Sequence, residues 1–180
     1  MSRRRSFVCL STAFLLLASS AVTQSDPLHL KRGDTLPPLS GSSLTGKRLD
    51  LPPVTGGAPA AVICSFSRAA GRDAQNWSQH IAKDDPHVTI YTVIFLEAVP
   101  RLFRSMAVSG IRHGMPPTLQ SRTILIYRDE DLWKQRLQIT DTNHVCVILL
   151  GPNGHIQWTS STGFTDAQYS GLRKCIRTSY

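Results

Sequence analysis

The sequence predicts an α/β fold in which a mixed β-sheet lies between helices, with an extended flap or hairpin before it. Two observations support this prediction. In the first part of the chain, apolar β-prone runs alternate with amphipathic helical segments, and nearer the end two strand-like runs follow one another across a turn. Alternating strands and helices favour parallel pairing, whereas a hairpin adds antiparallel strands. The 180 residues suffice for one domain of ordinary size.

The first predicted strand covers residues 60–66, where AAVICSF is continuously apolar, as in a sheet that is covered on both faces. A helix is predicted over residues 69–83, because apolar residues recur every three or four positions from Ala70 to Ile81. The next run, VTIYTVIFL at residues 88–96, is the most β-prone in the chain. These three elements are expected to form a strand–helix–strand unit with parallel strands.

The middle of the chain continues this alternation. A second helix is predicted over residues 100–110, followed by a loop at 113–118 that contains Gly and Pro, and by a strand at 123–127. Three acidic residues then open a short helix over 129–137, where they compensate the helix dipole. The inward face of the second helix is predicted to consist of Val99, Leu102, Phe103 and Met106.

The end of the chain predicts a hairpin and a closing helix. Residues 144–150 and 155–159 have the composition of two strands, joined by the turn Gly-Pro-Asn-Gly. Thr165 and Gln168 match a capping box, so a last helix is expected to begin there and to run to about residue 176. The inward residues of this helix are expected to be Tyr169, Leu172 and Ile176.

The first 24 residues are predicted to be a signal peptide rather than part of the fold. Arginines at positions 3–5 precede an apolar run at residues 7–18, which is short for a membrane span, and small residues around Ala21 suit signal peptidase. The protein is therefore expected to be exported, in the periplasm or on a membrane facing it. Two alternatives stay open, a retained anchor or a mitochondrial presequence, since no acidic residue precedes Asp26.

Two further regions follow this leader. Residues 25–58 are rich in Gly, Pro, Ser and Thr and are predicted to form the extended flap or hairpin, with an edge strand around Leu49 and Leu51. Residues 59–180 are predicted to contain the main sheet and its helices. The flap is expected to lean on that sheet.

The composition limits the classes of ligand that the protein is expected to bind. The chain carries 20 lysines and arginines against 12 acidic residues, and removal of residues 1–24 lowers the net charge from +8 to +5. The basic residues are scattered and aromatic residues are few, which argues against nucleic-acid binding, while a weak attraction to anionic membrane surfaces is consistent with the charge. No His/Cys spacing suits zinc and nothing converges on the acidic residues 129–131, so no metal and no cofactor is predicted.

The segment that bears on chemistry is FSRAAGRDAQNW, residues 66–77, between the first strand and the first helix. Enzymes of the thioredoxin type hold their reactive cysteines in this place, because a helix N-terminus stabilises a thiolate. If Gly71 aligns with the Gly of Cys-Gly-Pro-Cys, then Ala70 and Asp73 stand at the two cysteine positions, and neither can exchange a disulfide. The proline that precedes the hairpin strand in such enzymes is also missing from residues 140–144.

What remains in this turn is a cationic helix N-terminus, formed by Arg68, Gly71 and Arg72. Such a place can hold an anion, a carboxylate or the chain terminus of a partner. The structural alternative is that Arg68 pairs locally, with Asp73 for example, and that Gly71 merely permits the turn.

Three cysteines remain after Cys9 leaves with the leader, and none belongs to a Cys-x-x-Cys pair. Cys64 and Cys146 lie within apolar strands that are expected to be neighbours, and buried strand cysteines usually act as inert small hydrophobic residues. A disulfide between them and a reactive Cys64 are the alternatives. Cys175 is expected to pack near the core face of the last helix.

FSRAAGRDAQNW and the downstream HVCVILLGPNGHIQWTSSTGFTDAQYSGL together resemble the thioredoxin-like family of mitochondrial ATP synthase assembly factors and its bacterial relatives. The resemblance covers most of residues 33–176 and implies a peroxiredoxin-like fold that is not built around a redox pair. In mitochondria, it implies help in assembling a membrane subunit of the ATP synthase. The matching residues are Phe66, Arg68, Gly71 and Trp77, then Val147 to Leu150, Gly154, Ile156, Trp158 and Gly163.

The function expected from the sequence is that of an exported, non-redox binding or assembly factor, chaperone-like for a membrane protein complex. Its partner is expected to be a membrane-associated protein, and its oligomeric state is left open. The contact residues are expected to be Arg68, Gly71, Arg72 and Trp77. The alternatives are a single-cysteine thiol oxidoreductase or peroxidase that uses Cys64, and a purely structural domain.

Overall fold

The computed structural model describes residues 29–53 and 58–178, which form one seven-stranded sheet with helices on both faces. The predicted α/β class and mixed sheet are confirmed. The strands are β1 (Leu39–Ser43), β2 (Arg48–Leu51), β3 (Ala60–Ser65), β4 (Thr89–Phe95), β5 (Thr123–Ile126), β6 (Cys146–Leu150) and β7 (Ile156–Ser160). The helices are α1 (Gly71–Asp84), α2 (Arg101–His113), α3 (Pro117–Gln120), α4 (Glu130–Arg136) and α5 (Asp166–Thr178).

The sheet order, β2-β1-β5-β4-β3-β6-β7, combines a parallel centre with antiparallel flanks. Strands β3, β4 and β5 are parallel, and β6 pairs antiparallel with β3 and continues into the predicted hairpin with β7. Helices α1 and α2 connect strands that step in the same direction across the sheet, so right-handed crossovers place both on one face. The connection from β5 to β6 runs past two strands and carries α4 over the opposite face.

Each face of the sheet has its own core, because successive strand residues point to opposite faces. Ala61 and Ile63 of β3 belong to the cluster that contains Trp77 of α1, whereas Val62 and Cys64 belong to the cluster that contains Trp133 of α4. The first cluster also holds the predicted inward residues of α5, namely Tyr169, Leu172 and Ile176.

The N-terminal extended segment forms a hairpin that widens the sheet. Strand β1 pairs antiparallel with both β2 and β5, which makes β2 an edge strand as predicted. Leu36, Leu39 and Leu51 are buried in the same cluster as Val62 of β3. The hairpin therefore shares its core with the rest of the domain instead of covering it loosely.

The prediction for the inward face of α2 is wrong for Leu102, Phe103 and Met106 and is confirmed for Val99. Leu102, Phe103 and Met106 are exposed, and the residues that pack inward are Val108 and Ile111, together with Val99 before the helix. The sequence of α2 contains apolar residues on two sides, and packing against Leu44, Leu96 and Leu125 selects the side that is buried. The region predicted as a loop at 113–118 also differs, since α3 begins within it at a proline that suits the first helical position.

Gly41 in β1 marks the closest approach between the hairpin and the main sheet. A Cβ atom there would lie 2.5 Å from Ile124 Cγ2 and 2.7 Å from the carbonyl oxygen of Leu125. We expect Gly41→Ala to lower the free energy of unfolding by about 1–3 kcal/mol, because β1 must move away from β5. The matched control is Gly110→Ala in α2, where a Cβ meets no atom within 4 Å. Chemical denaturation should show Gly110→Ala raising stability by about 0.5–1 kcal/mol, and equal stabilities for the two variants would contradict the packing.

Candidate functional site

The turn before α1 is held in place by Ser67. Its hydroxyl donates a hydrogen bond of 2.6 Å to the carbonyl oxygen of Thr142, in the loop before β6, and it accepts a bond of 3.4 Å from the amide of Ala70. The amide of Gly71 donates to the carbonyl oxygen of Arg68 at 3.1 Å, which closes the turn. Ala70, the residue before α1, is buried.

Arg68, Gly71 and Arg72 form the exposed part of this turn. Neither guanidinium makes an ion pair or hydrogen bond with residues 29–53 or 58–178, so the alternative pairing of Arg68 with Asp73 does not occur. The space above Gly71 is open, since an added Cβ would meet no atom within 4 Å. The turn thus presents two free cations beside the positive end of a 14-residue helix.

Asp73, which stands at the second cysteine position if Gly71 aligns with the Gly of Cys-Gly-Pro-Cys, connects three chain segments. Its carboxylate accepts hydrogen bonds from the amide of Val145 at 2.9 Å and from the amide of Phe164 at 2.7 Å. The side chain is 11% exposed, which leaves little water to replace these bonds. Asp73 lies in the first turn of α1 and suits the helix dipole as predicted, but its two long-range hydrogen bonds were not predicted.

His144 lies in the loop before β6, between two carboxylates. Its Nδ1 is 3.6 Å from Asp73 Oδ2, and its Nε2 is 3.8 Å from Asp141 Oδ2. Gly163 packs against the ring with a φ of +82°, and a Cβ there would lie 2.6 Å from Nδ1. Sequence reasoning did not single out His144, although Gly163 belongs to the segment that carried the family resemblance.

Trp77 lies beneath this turn rather than on its surface. The side chain is 1% exposed and packs against Phe164, Trp158 and Tyr169, with ring centroids 5.1, 5.8 and 6.2 Å away. Its indole nitrogen has no hydrogen-bond partner among the described residues. Trp77 can therefore support the contact surface formed by the two arginines, but it does not itself reach a partner.

Cys64 and Cys146 stand directly opposite each other on β3 and β6, and both are free thiols. Burial raises the pKa of Cys64 well above its ordinary value and raises the pKa of Cys146 to about 12. A nucleophilic cysteine needs the opposite conditions, a lowered pKa and access to substrate. Cys175 is half-buried on α5.

The acidic residues 129–131 serve the structure of α4. Glu130 is buried and its carboxylate lies 2.7 Å from the ammonium of Lys134 one turn later. The amide of Glu130 donates to the carboxylate of Glu97 at 2.7 Å, which satisfies one free donor at the helix start. Within the described ranges there is no cluster of three or more His, Cys, Asp or Glu that could hold a metal ion.

None of the helices in the described ranges is both long and apolar enough to cross a membrane.

Fold and site together define a thioredoxin-like domain whose reactive turn carries arginines and an engaged carboxylate where related enzymes carry thiols. The chain belongs to the ATP10 protein family, whose model matches residues 30–178. This match confirms the resemblance inferred from the sequence motifs. Among curated protein sequences, none matches this chain.

Solved structures support the same fold. The exposed lipoprotein thioredoxin of Streptococcus pneumoniae is similar with a TM-score of 0.56 and 12% identity, over 78% of this chain and 98% of that one. A thiol:disulfide interchange protein from Bacteroides sp. has a TM-score of 0.54 and 20% identity, over 82% and 91%. The thiol peroxidase of Chromobacterium violaceum has a TM-score of 0.54 and 14% identity, over 83% and 88%. At these identities the likeness concerns the fold alone.

The hydrogen bonds of Asp73 lead to a stability prediction. We expect Asp73→Ala to lower the free energy of unfolding by about 2–4 kcal/mol, because the amides of Val145 and Phe164 lose a charged acceptor. The control is Asp131→Ala, because that carboxylate is fully exposed and its ion pair with Lys134 is long, at 3.5 Å. Its effect should stay below about 0.5 kcal/mol. Urea denaturation measures the free energy of unfolding of both variants. A small effect of Asp73→Ala would show that the loops at Val145 and Phe164 keep their positions without this carboxylate.

The buried thiols lead to a labelling prediction. At about pH 8 we expect Cys146 of the folded protein to react with iodoacetamide at least about a thousandfold more slowly than in the denatured chain, since the thiolate is the reactive form. The factor follows from the rise in its pKa from 9.0 to about 12. Cys64 should resist labelling as well, and mass spectrometry of the digested protein resolves each site.

The same pKa shift has a consequence for stability. A thiol with a raised folded pKa stabilises the fold fully below its unfolded pKa, and this contribution is lost as the pH rises toward about 12. We therefore expect the decline in stability above about pH 9 to be less steep in Cys146→Ala than in the wild type.

The labelling experiment also has an outcome that would contradict the structure. Rapid labelling of folded Cys64 near neutral pH would contradict the assignment of both thiols to the core.

Proposed function

We propose that this protein is an exported assembly factor that works without redox chemistry and acts in a chaperone-like way on a membrane protein complex. Its membership of the ATP10 protein family supports an assembly role and a protein partner. The observation that carries the proposal of binding without redox chemistry is the turn before α1, which presents Arg68 and Arg72 and no thiol. Such a surface binds rather than reacts.

The chemistry of this surface suits an acidic group of a partner. Arg68 and Arg72 are exposed and have no ion pair within the described ranges, so a partner carboxylate or chain terminus does not have to displace an internal contact. The N-terminus of α1 adds its dipole and its free amides beside the open space above Gly71. The turn is held from the side of the core by Ser67, Asp73 and the buried Trp77. Its conformation is therefore fixed before the partner binds.

The thiol enzyme is the weaker alternative. A peroxidase or oxidoreductase that uses Cys64 needs that thiol to be accessible and its pKa to be low. Cys64 is 1% exposed and its pKa is raised by burial. Cys146, its neighbour across the two strands, has the same character.

The proposed location follows from the leader, which lies outside the described residues. A basic start, a short apolar run and small residues near Ala21 favour export to the periplasm, where the partner is proposed to be membrane-associated. A mitochondrial location is the alternative. The family resemblance points to the ATP synthase as the complex to be tested first.

The test is complementation of cells that lack this gene, with the assembled ATP synthase measured by native gel electrophoresis. We expect the wild-type chain to restore the complex and Arg68→Glu to reduce its amount at least about tenfold, because removing one partner of an interfacial charge pair typically costs about 2–5 kcal/mol. Arg68→Lys keeps the charge and should restore most of the activity. Cell fractionation of the same strains should recover the protein outside the cytoplasm.

The matched control is Arg48→Glu, which makes the same change of charge at an arginine whose side chain is 77% exposed on edge strand β2, four strands from β3. It should behave like the wild type. If loss of the gene leaves the ATP synthase intact, this complex is not the client. If Arg68→Glu and Arg48→Glu behave alike, the turn is not the contact surface. Recovery of the protein in the cytoplasm contradicts export.

A further inference from the structure

A groove runs along one flank of α2. Its volume is about 520 Å³ and it is open to solvent. The lining residues are Arg104, Ser105, Val108, Ser109, Arg112 and Tyr127. At about 100° per residue, the five helical positions lie between the inward-facing Ile111 and the exposed Leu102. The groove is therefore distinct from both the packed side and the outer apolar side of α2.

Two arginines line the groove, and backbone carbonyl groups hold both of them. Arg104 donates from Nε to the carbonyl oxygen of Val99 at 2.9 Å and from Nη2 to that of Glu97 at 3.3 Å. Arg112 donates from Nη2 to the carbonyl oxygen of Leu44 at 2.8 Å. A guanidinium group has five N–H donors, so each arginine keeps donors for a ligand. The neutral carbonyl groups fix the position of the two cations without removing their charge.

Neither of these cations has an acidic partner in the domain. Among residues 29–53 and 58–178, no carboxylate oxygen lies within 4.0 Å of the guanidinium of Arg104 or Arg112. From residue 98 to residue 128 the chain contains five arginines and one histidine, with no Asp or Glu. The carboxylate of Glu97, just before this stretch, accepts a hydrogen bond from the amide of Glu130 instead. The positive charge of the groove is therefore available to an anionic ligand.

The separation of the two cations limits the kind of ligand. Eight helical residues lie from Arg104 to Arg112, which is about 12 Å along the axis. Their anchors are equally far apart. Arg112 is bound beside Leu44, whose amide donates to Thr123, whereas Arg104 lies over the ring of Tyr127, four residues further along β5. Four residues of strand span about 13 Å, so one small anion cannot contact both guanidinium groups.

We propose that this groove binds an extended acidic peptide of a partner protein, in which two carboxylates four residues apart pair with Arg104 and Arg112. An extended chain rises about 3.3 Å per residue and its side chains alternate, so residues i and i+4 point to the same side about 13 Å apart. The hydroxyl groups of Ser105 and Ser109 lie between the two cations and can bond the peptide backbone. This groove is separate from the turn at Arg68, and the inference does not depend on the proposed function.

The undescribed segments of the chain do not supply this ligand. Residues 1–28, 54–57 and 179–180 together contain one Asp, at position 26, and no Glu. They therefore lack two acidic side chains at the required spacing. Complementary charge thus favours a peptide from another protein as the occupant of the groove.

The test is fluorescence anisotropy of labelled seven-residue peptides with blocked ends, titrated with the purified full-length protein at low ionic strength. The probe carries Glu at its second and sixth positions among Gly and Ser. We expect saturable binding of this probe that weakens as salt is added. A peptide of the same composition with two adjacent Glu residues should bind at least about threefold more weakly, because adjacent side chains point to opposite sides. The Gln version of the probe should not bind.

Two variants of α2 locate the binding. Ser105→Glu places a carboxylate in the groove at an exposed position and leaves the anchoring bonds of Arg104 and Arg112 intact, so we expect at least about fivefold weaker binding of the probe. The matched control is Met106→Glu, which makes the same change of net charge one residue later, on the outer side of the helix, at a side chain that is 65% exposed. It should bind within about twofold of the wild type. Circular dichroism should give both variants the unfolding temperature of the wild type.

Four results would overturn the proposal. The first is a failure of the wild type to bind the probe. The second is an equal effect of Ser105→Glu and Met106→Glu, since only net charge would then matter. The third is tighter binding of inorganic polyphosphate than of the probe, with the same loss in Ser105→Glu; the ligand would then be a phosphate polymer. The fourth is self-association of the wild type, seen by sedimentation, that Ser105→Glu abolishes and the probe does not; the groove would then be a contact between copies of this chain.

Discussion

The contact on which the site depends is the pair of hydrogen bonds that Asp73 accepts from the amides of Val145 and Phe164. These two amides lie in loops that are more than 70 residues away in sequence, and both need an acceptor because little water reaches them. One carboxylate on the first turn of α1 therefore fixes the loop before β6 and the loop before α5 against the helix. In a redox enzyme the group at this place must be free to react, whereas here it is fully engaged in holding the structure together.

The central sheet explains why the pKa values of the two strand cysteines are raised. Strands β3 and β6 are buried on both faces, so Cys64 and Cys146 are surrounded by apolar side chains on each side of their pairing. Desolvation favours the neutral thiol, which raises the pKa of both groups. A thiol in such a place contributes apolar packing, and the dipole of α1 does not act on it as it would on a cysteine at the helix start.

The turn before α1 carries no thiol, and the domain presents two exposed surfaces of different chemistry. The turn before α1 is cationic and polar, and it suits a carboxylate of a protein partner. The outer face of α2 is apolar, with Leu102, Phe103 and Met106 exposed. Both helices cross the same face of the sheet, so the two surfaces are held by one framework.

The sequence alone determined the α/β class, most strands and helices, and the family. Continuous apolar runs and helical spacing depend on local chemistry, which the sequence displays directly. The absence of cysteines from the turn at Arg68 and Gly71 could be read in the same way. Cys64 and Cys146 were expected to be neighbours because the order of elements already implied the pairing of β3 with β6.

Only the tertiary structure decided the roles of Asp73, His144 and the outer face of α2. The hydrogen bonds of Asp73 and its approach to His144 join segments that have no local relation in sequence, so no spacing could reveal them. Helix α2 carries apolar residues on two sides, and its periodicity does not say which side meets the sheet. That choice follows from the shape of the neighbouring strands, because a helix buries the side that packs best and leaves the other to solvent or to a partner.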